Sequence, residues 1–349
     1  MTTVRAALVV DKEMCEVHHR RHRLVSSLLE EFPGSQLFPA TGNYAPIVRE
    51  VRERQSDFEC VIVFAKFMNI YKQDNLFAGL RGPVYMVEHD AWMNYSERNP
   101  LYRRWSEYLS KNRIDAIAVS GRSVQERLQE EGFQCWYLPK AAPAAFLEHR
   151  NSYSGCVCMF GNTQSLPGMY ESRKEMFDSV RRVGLLDRLG FKCGAGFAKM
   201  RQTLASPRGI PRIHTLRFEF REMPEMLRLY SAAIICDIGM REPMAKHFEV
   251  SGLGVAPIRD DETKGELEKL GYKDGESMVL YNGVDDLVDK LNFYSQNDGQ
   301  LRSIQDAARE AARANTWEVR ARTLRDYIEN LLQTDWKGNS VGMERRSCG

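Results

Sequence analysis

The chain offers no stretch of about 18 apolar residues, so hydropathy predicts no bilayer-crossing helix. Charge of one sign is equally missing: 49 Lys and Arg stand against 47 Asp and Glu, a net of +2, and residues 1–150 hold 20 of the former and 19 of the latter. Neither half reads as a basic module, which removes any global attraction to nucleic acid. The eight cysteines include no CxxC, and the closest pair, Cys156 and Cys158, forms CVC. With no second pair nearby, the spacing implies no metal site, and buried thiols in a reducing cytoplasm are expected. The first apolar run, VRAALVV, is too short for a secretory signal. A two-domain binding protein that captures a small ligand without chemistry would need export, so that alternative loses ground. No glycine stands in VVDKEMCEV, where a dinucleotide-binding oxidoreductase would carry GxGxxG. No short internal repeat is present.

What the 349 residues do contain is alternation, over a length that calls for two domains rather than one core. Apolar runs of strand type (VRAALVV, FECVIVFA, GPVYMVEH, IDAIAVS, CWYLPKAA) are separated by segments with helical spacing, as in HHRRHRLVSSLLEEF with Leu24, Leu28 and Leu29. Such runs predict parallel sheets covered on both faces, an α/β class with two doubly wound, Rossmann-like halves. SVQERLQEEG is expected to be a helix capped by Ser123 and Glu126 and closed by Gly132. PKAAPAAFLEHRNSYSG reads as the linker. The pattern then restarts with GCVCMFG, HTLRFEF, IICDIG, GVAPI and SMVLYN. This gives an N-terminal domain over 1–150, a C-terminal domain over 151–315, a last helix over 316–335 started by Thr316, and a polar tail over 336–349 whose composition predicts disorder.

The sharpest local feature is EPMAKHFEVSGLGVAP, residues 242–257, a charged turn leading into an apolar strand. In open parallel sheets, ligands sit beyond the carboxyl ends of strands, and this segment lies there, between IICDIG and GVAPI. A carboxylate can accept from both vicinal ribose hydroxyls while a cation one turn earlier neutralises diphosphate. A solvated helix turn with a glycine-rich end is the bland alternative.

The run E-P-x-x-K-H-F-E-x-S-G-x-G-V-A-P-I, followed by a strand and YNGVDDLVDKLNFY, resembles the C-terminal half of GT-B fold glycosyltransferases. The Lys246-to-Glu249 spacing is closest to the CgeB-like group and is similar also to phage DNA glucosyltransferases. The acids Glu242 and Glu249 have six residues between them, where many members have seven, so the resemblance carries to Glu249 better than to Glu242. It implies a facing-cleft, two-domain fold and a nucleotide-sugar donor, UDP- or GDP-linked, with no tightly bound cofactor. Glu249 would grip the donor ribose. Lys246, His247, Ser251 and Gly252 stand around it, Gly161, Asn162 and Arg173 would line the diphosphate loop, and Arg221 would lie in the base-contacting loop.

On the other side of the cleft, VYMVEHDAWMN ends the third long strand of the first half with His89 and Asp90, the candidates for handling the acceptor hydroxyl. The basic start of HHRRHR and the interleaved Arg, Tyr and Trp of RNPLYRRWSEYLSKNR could meet a lipid-linked glycan, a membrane surface or DNA; the alternative is a solvated face over core aromatics. The resemblance implies glycan, polysaccharide or lipopolysaccharide assembly in the cytoplasm, with peripheral contact at the inner membrane face and DNA as a less favoured acceptor.

Overall fold

The computed structural model of the chain describes residues 4–16, 21–97, 99, 101–149, 157–160, 171–182, 186–187, 213–216, 223–236 and 242–338. The first half runs β1 Ala6–Asp11, α1 His22–Glu31, β2 Gln36–Ala40, α2 Ala45–Glu53, β3 Cys60–Phe64, α3 Phe67–Ile70, β4 Val84–Glu88, α4 Arg104–Lys111, β5 Ala116–Val119, α5 Arg122–Glu130 and β6 Cys135–Tyr137. The second runs β7 Val157–Phe160, α6 Glu171–Arg182, β8 Leu186–Asp187, β9 Ile213–Leu216, α7 Met223–Leu227, β10 Ala232–Ile235, α8 Ala245–Gly252, β11 Ala256–Asp260, α9 Lys264–Lys269, β12 Val279–Tyr281, α10 Gly283–Gln296 and α11 Asp298–Arg313. The last helix is α12, Trp317–Gly338.

Among the described residues every strand pair is parallel. The sheets have the orders β2-β1-β3-β4-β5-β6 and β12-β11-β10-β7-β9-β8. Parallel strands must be joined by crossovers that lay helices on both faces, which is why β1, β3, β4 and β5 are buried along their whole length. β2 carries Pro39 and begins with Gln36, and it lies at a sheet edge, where a residue without an N–H costs no interior ladder bond. That is the reason its sequence does not look like a strand. α5 begins at Arg122, capped by the Gly121 backbone with no side-chain bond, so Ser123 is not its N-cap, whereas Gly132 does close it at φ +89°. Thr316 caps α12 as expected, its Oγ1 accepting from the Val319 N–H at 3.3 Å.

The two halves are joined twice, once after β6 and once before α12. There Ala142 pairs with Thr316: the Trp317 N–H donates to the Ala142 carbonyl at 2.9 Å, and the Ala142 N–H to the Asn315 carbonyl at 3.3 Å. The buried Arg320 guanidinium donates to the Pro139 carbonyl at 3.1 Å and to Asn315 Oδ1 at 2.5 Å, fastening both crossings. α12 then returns to the first sheet, where Trp317, Ala321, Leu324 and Ile328 share a core with Leu8, Leu24 and Leu28. Among the described residues no helix is long and apolar enough to cross a membrane.

Candidate active site

In a doubly wound sheet the order of strands reverses at one point, and loops leaving the strands there diverge to open a crevice. The first sheet reverses between β1 and β3, the second between β7 and β10. At the first reversal the crevice is filled by protein. Asp11, at the end of β1, is 2% exposed and takes the Tyr44 hydroxyl, the Asn69 amide at 3.0 Å and the Lys66 N–H at 2.6 Å. Four lone-pair sites on a carboxylate thus meet three donors, and a turn of 3-10 helix, Lys12–Cys15, follows in place of a glycine turn. Sequence inspection missed Asp11; an acidic residue closing the run AALVV was its only signal.

At the second reversal, α8 follows β10 and carries the charged segment. Glu249 is fully buried on α8, at 0% exposure, turned away from bulk water. Lys246 stands one turn earlier and is half-buried. Arg259, at the end of β11, is buried too, donating from Nε to the Asp260 carbonyl at 3.3 Å and from Nη2 to the Thr263 hydroxyl. It was not among the residues singled out, although an arginine within GVAPIRD is a cation at a strand end. Three other residues of the segment do different work. His247 is fully buried, its ring edge-on to Tyr272 at 4.2 Å, and neither ring nitrogen has a hydrogen-bond partner among the described residues. Burial, and secondarily Arg259, hold its imidazole well below the usual range, so it is a neutral core ring rather than a cation for diphosphate. The Ser251 hydroxyl is spent inside the helix on the His247 carbonyl at 2.7 Å. A Cβ on Gly252 would lie 3.4 Å from that of Phe146, so its smallness serves the seat of α8 against the linker and not the approach of a ligand.

Glu242 also departs from its expected place. Its carboxyl group is buried against the first half, where Lys140 Nζ donates to Oε1 and Ser120 Oγ lies 2.8 Å from Oε2. Lys140 reaches Asp90 Oδ1 at 3.3 Å as well, and Arg21 meets Asp90 Oδ2 at 2.8 Å. The ends of β4, β5 and β6 and the start of α1 therefore converge on one acid of the second half. Asp90 keeps 37% of its side chain exposed. Burial opposes its ionisation, but Lys140 and Arg21 outweigh this and hold the carboxyl below the usual carboxylate range. Its neighbour Glu88 is pushed the other way, chiefly by burial and then by Asp90. His89, between them, turns into the core: it stacks on Trp317 at 5.3 Å, meets Phe64 edge-on at 5.5 Å, and has no exposure. Burial, then Arg21 and Lys140, keep it neutral. Asp90 stays a candidate for contact with the acceptor; His89 does not.

Gly161, Asn162 and Arg221 lie outside the described residues; Arg173 is in α6, its side chain outside them. A cleft of about 480 Å³ between the halves is lined by Arg122, Ser123 and Glu126 on one side and Glu262, Thr263 and Glu266 on the other. Among the described residues no group of three or more His, Cys, Asp or Glu could hold a metal ion. In RNPLYRRWSEYLSKNR, Trp105 stacks on Phe67 at 3.8 Å and Tyr108 is buried, while Arg104 and Lys111 pair with Glu107. The aromatics there belong to the core, and Tyr102 alone of the three is exposed.

Residues 211–326, which include the whole of the charged segment, match the glycosyl transferase-like family. Over nearly its whole length the chain superposes on Anabaena HepE in complex with UDP and glucose, with a TM-score of 0.62 at 11% identity, covering 93% of this chain and 100% of that one. The fold is that of the GT-B glycosyltransferases. Sucrose-phosphate synthase from Thermosynechococcus elongatus gives 0.59 at 11% identity over 95% and 100% of the two chains. An α-glucosyltransferase in complex with UDP-glucose and DNA containing an abasic site gives 0.58 at 11% over 90% and 96%. No curated protein matches by sequence. The resemblance read from the charged segment, and the two Rossmann-like halves of the GT-B fold, are borne out.

Proposed function

We propose that the chain transfers a sugar from a nucleotide-sugar to a hydroxyl acceptor, with residues 1–150 as the acceptor half and 151–315 as the donor half. The observation that carries this reading is Glu249: a carboxylate with no exposure, on the helix after β10, at the strand reversal of the sheet whose sequence matches the family. An acid is kept in such a place when it has fixed work to do. Glu249 takes the ribose hydroxyls, and Lys246 with the Gly161-Asn162 loop and Arg173 meets the diphosphate. UDP, held by HepE and by the α-glucosyltransferase, is the first nucleotide to try.

In the transfer, the bond from the sugar's anomeric carbon to the diphosphate oxygen breaks, a bond to the acceptor oxygen forms, and the acceptor proton must leave. Asp90, ionised by Arg21 and Lys140 at any working pH, is too weak a base to draw that proton far. Its role is to accept a hydrogen bond from the acceptor hydroxyl and orient it, leaving the departing diphosphate to take the proton. Fixed cations and helix N-termini neutralise that diphosphate, so activity is expected to survive EDTA. Abolition of activity by EDTA, reversed by manganese, would overturn this. Glycan or lipopolysaccharide assembly is the favoured setting, with the enzyme in the cytoplasm and in peripheral contact with the inner membrane. DNA as acceptor is the second reading, favoured by the likeness to the α-glucosyltransferase and opposed by the balanced charge. Thermal-shift measurements against UDP, GDP, CMP and dTDP sugars test the donor half, because a ligand that binds the folded state raises its melting temperature. No shift with any of the panel would sink the reading.

A further inference from the structure

The Lys140 contacts raise a question that the sugar-transfer reading does not answer: why a fully buried acid of the donor half is seated in the acceptor half. Among the described residues, Lys140 to Glu242 is the only ion pair between residues 1–149 and 157–316. Lys140 and Glu242 have side-chain exposures of 5% and 1%. Gly121 is the floor of the seat: a Cβ there would lie 3.1 Å from Glu242 Oε2 and 3.2 Å from its Cβ. The ammonium touches Glu242, Asp90 and the Met244 sulfur at once, so one residue of the linker contacts both the acceptor-facing carboxylate and the donor half. We propose that Lys140 is a positioning residue, pairing with Glu242 to set the donor half at a fixed distance from Asp90. Its ammonium is engaged by these protein partners. The proposal rests on the transferase reading for its catalytic consequence, but not for the pairing itself.

Proton counting at Ser120 adds a further constraint. Its single hydroxyl hydrogen faces two oxygens, the His89 carbonyl at 2.7 Å and Glu242 Oε2 at 2.8 Å. If Ser120 donates to His89, Glu242 must carry a proton and donate to Ser120. Burial favours that state, pushing Glu242 up to about 7 against the pull of Lys140. The charged groups that act on it are Lys140, Asp90 and Arg21, contributed by the ends of β4 and β6 and the approach to α1, and Asp90 in turn acts on Glu88 and His89. Glutamine at 242 reproduces the protonated acid, donating to Ser120 and accepting from Lys140.

The test uses the full chain, with UDP release from UDP-glucose as the probe and water as acceptor: water oxygen replaces the diphosphate oxygen on the anomeric carbon, and its proton goes to the diphosphate. Lys140→Met is expected to lower kcat about 100-fold, the usual scale for a reacting group displaced by an ångström, while the Kd for UDP stays within about threefold. Glu242→Gln is expected to keep wild-type turnover at pH 6 and to flatten the pH–rate profile near 7. The double variant Lys140→Met with Glu242→Gln removes the buried ionisable acid that Lys140→Met leaves without its cation, so its melting temperature should recover while its turnover does not. Turnover that recovers together with melting temperature would show a purely structural pair and overturn the proposal, as would normal kcat in Lys140→Met. Small-angle scattering separates this from the transferase reading. A wild type that releases no UDP counts against that reading and overturns the positioning role, while a larger radius of gyration in Lys140→Met supports the pairing even then.

Discussion

The two sheets share a winding and differ at the place where each reverses. The first is closed by its own Asp11, which gathers Tyr44, Asn69 and the Lys66 backbone into the crevice. The second is flanked by α8, which carries the buried acid Glu249, and by the end of β11, which carries the buried Arg259. Duplicate architecture therefore does not give duplicate sites. A crevice that protein donors already fill has no room for a ligand, so the first half can contribute only from strand ends further along, at β4 to β6. That is where Asp90, Ser120 and Lys140 are found.

Asp11→Ala gives the strongest test of this contrast. It removes the acceptor of three donors, one buried and two half-buried, and a loss of about 4 kcal/mol of folding stability is expected in urea titrations, with UDP affinity unchanged. A variant that unfolds like wild type would mean that the first crevice is not plugged as described. Glu249→Ala acts on the other crevice, where the expected loss is one charged hydrogen bond, about 1.5 to 3 kcal/mol of nucleotide-sugar binding. Unchanged calorimetric affinity for every donor that wild type binds would remove Glu249 from the site. The smallest effect is reserved for His247→Phe. Because the folded chain holds His247 far below its unfolded value, its contribution is fully present above about pH 6.5 and is lost as pH falls further. The variant should match wild type in donor affinity at pH 8 and lose less stability on acidification, by up to about 1.4 kcal/mol per pH unit below 6.5. A drop in donor affinity would return His247 to the ligand.

Much of the frame was legible because parallel strands are uninterrupted apolar runs: β1, β3, β4, β5 and β10 announce themselves that way. β2 did not, since an edge strand escapes the constraint that produces the signal. Glu249 was legible through its spacing to Lys246 and through the apolar strand that follows. The Lys140 junction was not, because Arg21, Asp90, Ser120, Lys140 and Glu242 lie far apart in the chain and meet only through topology. Spacing also overreached: His247 and His89 sit beside functional candidates in sequence, yet one turn of helix and one step of strand point each of them inward.

The return of α12 to the first sheet has a consequence for biosynthesis. Trp317, Ala321, Leu324 and Ile328 complete a core whose first members, such as Leu8, were made some three hundred residues earlier. On the ribosome, the domain that emerges first must therefore wait, with one face uncovered, until the last helix has been synthesised.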